Sequence, residues 1–162
     1  MIGNTSSSTE RSLGALLAPY LADPTNAFVV SSDFAHWGVR FGYTYYENSS
    51  GSASNLRQGQ RAPQDPEIHE SIKEVDFRCM GACEAGSHAG WLDVLRRTGN
   101  TVCGRHPIGV VMAGLERVGE NGAAGAGDGG EGRFKFVRYE RSGEVRRIAE
   151  SSVSYASAFA VL

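Results

Sequence analysis

The sequence predicts an α/β protein, and three observations carry that reading. A capped helical segment opens the chain, a short β-branched apolar run then leads into a polar loop, and two strand patterns close the chain after a series of helices. Ser8-Thr9-Glu10 supplies a hydroxyl cap ahead of Leu13, Leu16, Leu17, Tyr20 and Leu21 at helical spacing, and Asp23-Pro24 ends that helix. Ala27-Phe28-Val29-Val30 is continuously apolar and suits a central strand buried on both faces. Ser31-Ser32-Asp33 follows it directly, so Asp33 and His36 fall beyond the carboxyl end of a strand, where open α/β sheets place their ligands.

Residues 48–66 are a different material, rich in Ser, Gly, Asn, Gln and Arg, and read as a flexible surface insertion. Asp65-Pro66-Glu67 opens a second helix with Ile68, Ile72, Val75 and Cys79 on one face. A shorter helix capped by Ser87 carries Trp91, Leu92, Val94 and Leu95 and stops at Gly99-Asn100. Pro107 suits the first position of a further helix holding Ile108, Val111, Met112 and Leu115. Residues 119–132 form a glycine-rich tract expected to be disordered, and strands are expected at 134–140 and 152–161 with a turn at Ser142-Gly143.

Size and charge set the bounds on function. The chain has 162 residues, enough for one core, and a formal net charge of −2, which gives no field favouring nucleic acid or an anionic membrane. Three cysteines are an odd number, so a disulfide framework is not expected and a reducing compartment is, cytoplasmic or also nuclear. No stretch is apolar for long enough to span a bilayer, and the first residues lack the basic and apolar regions of a signal peptide. The glycine-rich tract has neither the lysine nor the following helix of a phosphate loop.

The chemistry concentrates in two segments, Ser31-Ser32-Asp33-Phe34-Ala35-His36-Trp37-Gly38 and Thr101-Val102-Cys103-Gly104-Arg105-His106-Pro107-Ile108-Gly109. Asp33 and His36 share a metal, or the carboxylate orients the imidazole as a base; the plain alternative is a helix cap beside a packed imidazole. Cys103, just before a helix N-terminus with Arg105 and His106 nearby, suits a thiolate that binds metal or attacks electrophiles, or else a small inert thiol. Trp37, Arg105 and His106 are the pocket neighbours, with helix capping as the plain reading of His106. Cys79 and Cys83 lack a second ligand pair and read as core thiols rather than a zinc site. His69 and His88 read as surface residues, and Tyr43, Tyr45 and Tyr46 as a packed aromatic wall.

Three separated blocks in order carry a resemblance. Residues 28–41, the run Cys103-Gly104-Arg105-His106-Pro107-Ile108-Gly109 and the closing Ser151-Ser152-Val153-Ser154-Tyr155-Ala156 resemble the signature blocks of the Memo family, mediators of cell motility. The likeness spans 18–162 with two insertions, and matches the family's C-terminal half. It implies the fold of LigB-type class III extradiol dioxygenases, a layered α/β/α sandwich with a mixed sheet, here truncated on its N-terminal side as a single partial domain over 1–162. It also implies that Asp33, His36 and Cys103 are pocket residues, the cysteine redox-sensitive and linked to copper or iron, and that two further pocket histidines belong to the absent half. Arg105 and His106 match motif positions without an assigned role, and Ala35 replaces a residue that is often cysteine.

The resulting expectation is a metal-type, redox-linked pocket with a role in signalling or metal handling. The alternatives are an enzyme similar to non-haem-iron extradiol dioxygenases, a phosphopeptide-binding module using Arg105 with Trp37 on the wall, or an inactive fragment. An extradiol enzyme uses two histidines and a carboxylate without thiolate, so Cys103 at the pocket favours the redox reading. Partners expected on these grounds are a phosphopeptide or signalling protein, and a second copy of the chain through an exposed sheet edge.

Overall fold

The computed structural model describes residues 3–121 and 132–161. Its elements run α1 (Ser7–Leu21), β1 (His36–Trp37), a 3-10 turn (Val39–Phe41), β2 (Tyr45–Glu47), β3 (Ala53–Asn55), α2 (Ile68–Glu84), α3 (His88–Thr98), α4 (Arg105–Asn121), β4 (Lys135–Arg141) and β5 (Ser152–Phe159). The fold is therefore mixed α/β. In place of a mixed sheet, every pairing among the described strands is antiparallel: one sheet has the order β1-β5-β4, the other is β2-β3.

α1 is capped two residues earlier than the sequence suggests, by Ser6 in place of Ser8: Ser6 Oγ accepts from the Thr9 N–H at 3.2 Å. Its inward face also differs from the leucine pattern. Glu10, Gly14, Ala18 and Leu21 are buried, whereas Leu16 and Tyr20 are 69% and 60% exposed. Close approach to α4 explains this: a Cβ on Gly14 would sit 2.6 Å from the Gly114 backbone nitrogen, so only small side chains fit between these helices.

Residues 27–30 form no strand among the described residues, and Val29 is 95% exposed. A β-branched run becomes a strand only where a neighbour offers a ladder, and here the pairing starts later: Phe34 N–H donates to Ser154 O at 2.8 Å and His36 registers with Val153. From there the alternation of an extended chain places Ala35 and Trp37 in one core cluster and Phe34 in the other.

The three later helices follow the sequence pattern closely. α2 buries Ile68, Ile72, Val75, Cys79 and Cys83 on one face. α3 is capped by Ser87 Oγ, which accepts from Gly90 N–H at 3.0 Å, and ends at Gly99 in the left-handed region, φ 63°. α4 begins at Arg105, so Pro107 lies within its first turn, where a missing N–H is harmless. Val110 rather than Val111 is its buried valine.

Residues 48–66 contribute β3 and two backbone carbonyls, Asp65 O and Pro66 O, that each accept from the Tyr46 hydroxyl at 2.9 Å. Of the glycine-rich tract, 119–121 extend α4, and 122–131 lie outside the described residues, as does the expectation of disorder there. β4 and β5 pair as the closing strands, with a register shift between Phe136 and Arg138. The connection between them folds Val145 and Ile148 into the core.

A polar knot joins these parts. Asp76 on α2 is fully buried and its carboxylate accepts from Ala35 N–H (3.2 Å), Asn100 Nδ2 (2.8 Å) and the Tyr139 hydroxyl (2.8 Å). Burial pushes the Asp76 carboxyl above its usual range, and hydrogen bonds from Asn100, Ser154, Tyr139 and Ala35 pull it partly back. His69 and His88, read as surface residues, are both buried. His69 lies between Glu67 (3.4 Å) and Glu70 (3.3 Å), and His88 has found a carboxylate inside the helix layer.

Candidate functional site

The two chemistry-bearing segments meet. Cys103 N–H donates to Asp33 O at 3.2 Å, and Asp33 N–H donates back to Cys103 Sγ at 3.0 Å, so the loop before β1 and the loop before α4 are clasped at these residues. Ser32 closes the same contact: its Oγ accepts from Gly104 N–H at 2.9 Å and lies 3.9 Å from Cys103 Sγ. A Cβ at Gly104 would stand 2.5 Å from Ser32 Cβ, so glycine is what lets the loops close.

His36 is fixed by both its backbone and its ring. Its N–H donates to Thr101 Oγ1 at 2.8 Å, and the Thr101 hydroxyl returns a bond to His36 O at 3.2 Å. The ring Nδ1 lies 3.1 Å from Phe34 O and 3.3 Å from Thr101 O. Both neighbours are carbonyls and only accept, which assigns a proton to Nδ1 and turns Nε2 toward other partners. That Nε2 faces Asp33 Oδ2 at 3.7 Å, with the Asp33 side chain 43% exposed and the His36 side chain 25% exposed. Phe41 packs edge-on against the imidazole, ring centroids 5.4 Å apart, and holds its plane.

A lone pair on Nε2 beside the carboxylate would make the pair two acceptors open to a cation. A proton or a metal ion between Asp33 Oδ2 and His36 Nε2 would relieve their repulsion, and a histidine tied through Nδ1 to backbone carbonyls is the usual support for ligation through Nε2. In kind, the donors fit a transition metal: an imidazole, a carboxylate and an adjacent exposed thiol. In number they do not close a cage, for among the described residues no three His, Cys, Asp or Glu side chains converge as a metal group. The chain presents a two-donor pair with Cys103 clasped to its edge.

The remaining expected neighbours lie elsewhere. Trp37 is fully buried behind the site, its indole N–H donating to Tyr45 O at 2.7 Å. Arg105 and His106 line a separate cavity of about 280 Å³ that includes none of Asp33, His36 and Cys103. Tyr43 and Tyr46 are buried and Tyr45 stacks on Tyr43, a packed wall. Cys79 and Cys83 are core thiols; burial pushes Cys79 up to about 12 and raises Cys83 as well. Thr101 and Ser32 hold the candidate site's loops and are passed over by sequence reasoning, since a hydroxyl in a loop has no signature until its partner is known. Glu10 and His88 were also hidden, although a glutamate on the Gly14, Ala18 stripe of α1 is a sign of burial.

The family model of Memo-like protein matches residues 1–159 of this chain. The chain is 38% identical over 157 residues to Protein MEMO1 of Danio rerio, a stretch that covers 97% of this chain and 46% of the relative. It is 40% identical over 157 residues to Protein MEMO1 of Xenopus tropicalis, with 97% and 46% covered. With a MEMO1 family protein of Schizosaccharomyces pombe it shares 39% over 163 residues, covering 99% of this chain and 50% of the relative. The chain belongs to the Memo-like family. It spans about half the length of the curated relatives it matches.

Proposed function

We propose that this chain contributes Asp33, His36 and Cys103 to a redox-linked copper or iron pocket with a role in signalling or metal handling. The observation that supports this most directly is the orientation of His36: Nδ1 is occupied by the carbonyls of Phe34 and Thr101, and Nε2 faces the Asp33 carboxylate at 3.7 Å. Asp33 and His36 would hold the ion. A bound copper or iron ion would supply a one-electron couple, and the neighbouring sulfur suits Cu(I) while the carboxylate and imidazole suit Fe(II). The clasp between Cys103 and Asp33 links thiol chemistry to the position of the carboxylate, because oxidising Sγ would remove the acceptor of the Asp33 N–H.

On this reading the pocket is completed by donors outside this chain, within a layered sandwich of which these sheets are part. The exposed apolar side chains on β4, β5 and the segment before β1, among them Val137, Phe159 and Val29, agree with a face that further structure or a second copy would cover.

The test is metal content by mass spectrometry on the folded chain after anaerobic titration with Cu(I) and with Fe(II), alongside His36→Ala and Cys103→Ser. The expected result is binding by the parent chain that falls in both variants. Stoichiometry unchanged in both variants would remove the metal from these residues.

A further inference from the structure

The cavity beside Arg105 is built from a second set of polar residues, none of which the redox reading uses. Glu10 of α1 is only 1% exposed, and both its oxygens are occupied: Oε2 by His88 Nε2 at 2.7 Å, Oε1 by His106 Nδ1 at 2.6 Å and by the Thr5 hydroxyl at 3.2 Å. A side chain at Gly109 would collide with the Glu10 carboxylate, so glycine on α4 makes room for it. The buried carboxylate thus fixes the ring of His106 by Nδ1, and His106, which lines the cavity, keeps Nε2 for other partners.

Arg105 supplies the charge. Its backbone carbonyl accepts from Trp91 Nε1 at 3.1 Å, which anchors the start of α4, while its guanidinium has no hydrogen-bond or ion-pair partner among the described residues. The other arginine at this cavity, Arg96, is engaged by Asp93. Leu92 and Leu95 give the cavity an apolar wall. Asn100 also borders it, 3% exposed, with an Oδ1 that has no hydrogen-bond partner among the described residues.

We propose that this cavity is a binding site for a small organic carboxylate with a short apolar body. The Arg105 fork matches a carboxylate through two parallel N–H bonds, His106 lines the same cavity, and the leucines take the alkyl part. With one guanidinium free of protein partners among the described residues and the Glu10 carboxylate lining the same cavity, a monoanion is repelled less than a doubly charged phosphate. The cavity and its residues stand independently of any metal at Asp33 and His36.

Valerate is the probe, titrated into the isotopically labelled 162-residue chain and followed by chemical-shift changes at the Leu92 and Leu95 methyl groups. Pentanol, with the same chain length and no charge, and inorganic phosphate are the controls. The expected result is saturable shifts with valerate, affinity lower by about tenfold or more for pentanol and for phosphate, and a comparable loss in Arg105→Lys, which keeps the charge and breaks the fork. Non-saturating valerate shifts, pentanol or phosphate binding as tightly as valerate, or an unchanged affinity in Arg105→Lys would each overturn the proposal. The two ligand controls use the parent chain and so remain decisive if the variant does not fold.

Discussion

At the scale of single residues, the three cysteines of this chain fall into two environments. Cys79 and Cys83 sit inside the first core cluster beside Trp91 and Met112, whereas Cys103 is exposed and its sulfur accepts a backbone N–H from Asp33. Reactivity requires both access and thiolate, and burial denies the two core thiols each of these. Alkylation of the native protein at neutral pH is therefore expected to modify Cys103 alone, read by peptide mass mapping, and to reach all three only in denaturant. Labelling of Cys79 or Cys83 at a rate similar to Cys103 would contradict their placement. The same contrast shows why the site was partly legible: Asp33, His36 and Cys103 stand in short polar segments with glycines, a pattern a packing surface does not need. Their supports, Thr101 and Ser32, were not legible, because a hydroxyl acquires its role only from a partner some seventy positions away.

At the scale of elements, the lesson comes from α1. Its leucines mark an apparent apolar stripe, yet the helix turns a stripe of Glu10, Gly14 and Ala18 inward, because contact with α4 is close enough to exclude larger side chains. Helical periodicity identifies that a helix exists; which face is buried is decided by its neighbour, and α4 lies far along the chain, with Gly14 meeting Gly114. α2 and α3 are legible in the sequence because their buried faces are the large apolar ones, and α3 in addition carries a Ser87 cap and a Gly99 stop that act locally. Residues 27–30 fail for the converse reason, since strand propensity cannot supply a pairing partner. Gly14→Ala is expected to destabilise the fold by roughly 1–3 kcal/mol through overpacking. Gly81→Ala, on a part of α2 with nothing near the new methyl, is expected to be neutral or to stabilise by about 0.5–1 kcal/mol through helix propensity. Denaturant unfolding of both variants checks the pair; a stabilising Gly14→Ala would contradict the close contact.

At the scale of the whole molecule, Asp76 ties together parts that sequence alone leaves apart: α2, the segment entering β1, Asn100 ahead of the Cys103 loop, and Tyr139 on β4. The same node joins the sheet to the helices and accepts hydrogen bonds from Ala35 and Asn100, which flank the two site loops. Its carboxyl is raised by burial, so the folded state binds the proton more tightly than the unfolded chain does. The contribution is thus fully present below the ordinary aspartate range and is lost as pH rises through the folded-state value. Asp76→Asn removes this slope. Unfolding free energies of parent and variant measured across the acid to neutral range are expected to shift in favour of the variant as pH rises; a shift in favour of the parent would mean that the hydrogen bonds outweigh burial. No helix among the described residues is long and apolar enough to cross a membrane.

The account turns on which nitrogen of His36 carries the proton, and a long-range proton–nitrogen correlation spectrum of the folded chain, recorded before and after anaerobic addition of Cu(I), reads it directly. The prediction is an Nδ1-protonated ring whose Nε2 resonance moves on metal addition while Nδ1 keeps its proton. An Nε2-protonated ring donating to Asp33 and unchanged by the metal would contradict the claim that His36 is held ready to bind an ion.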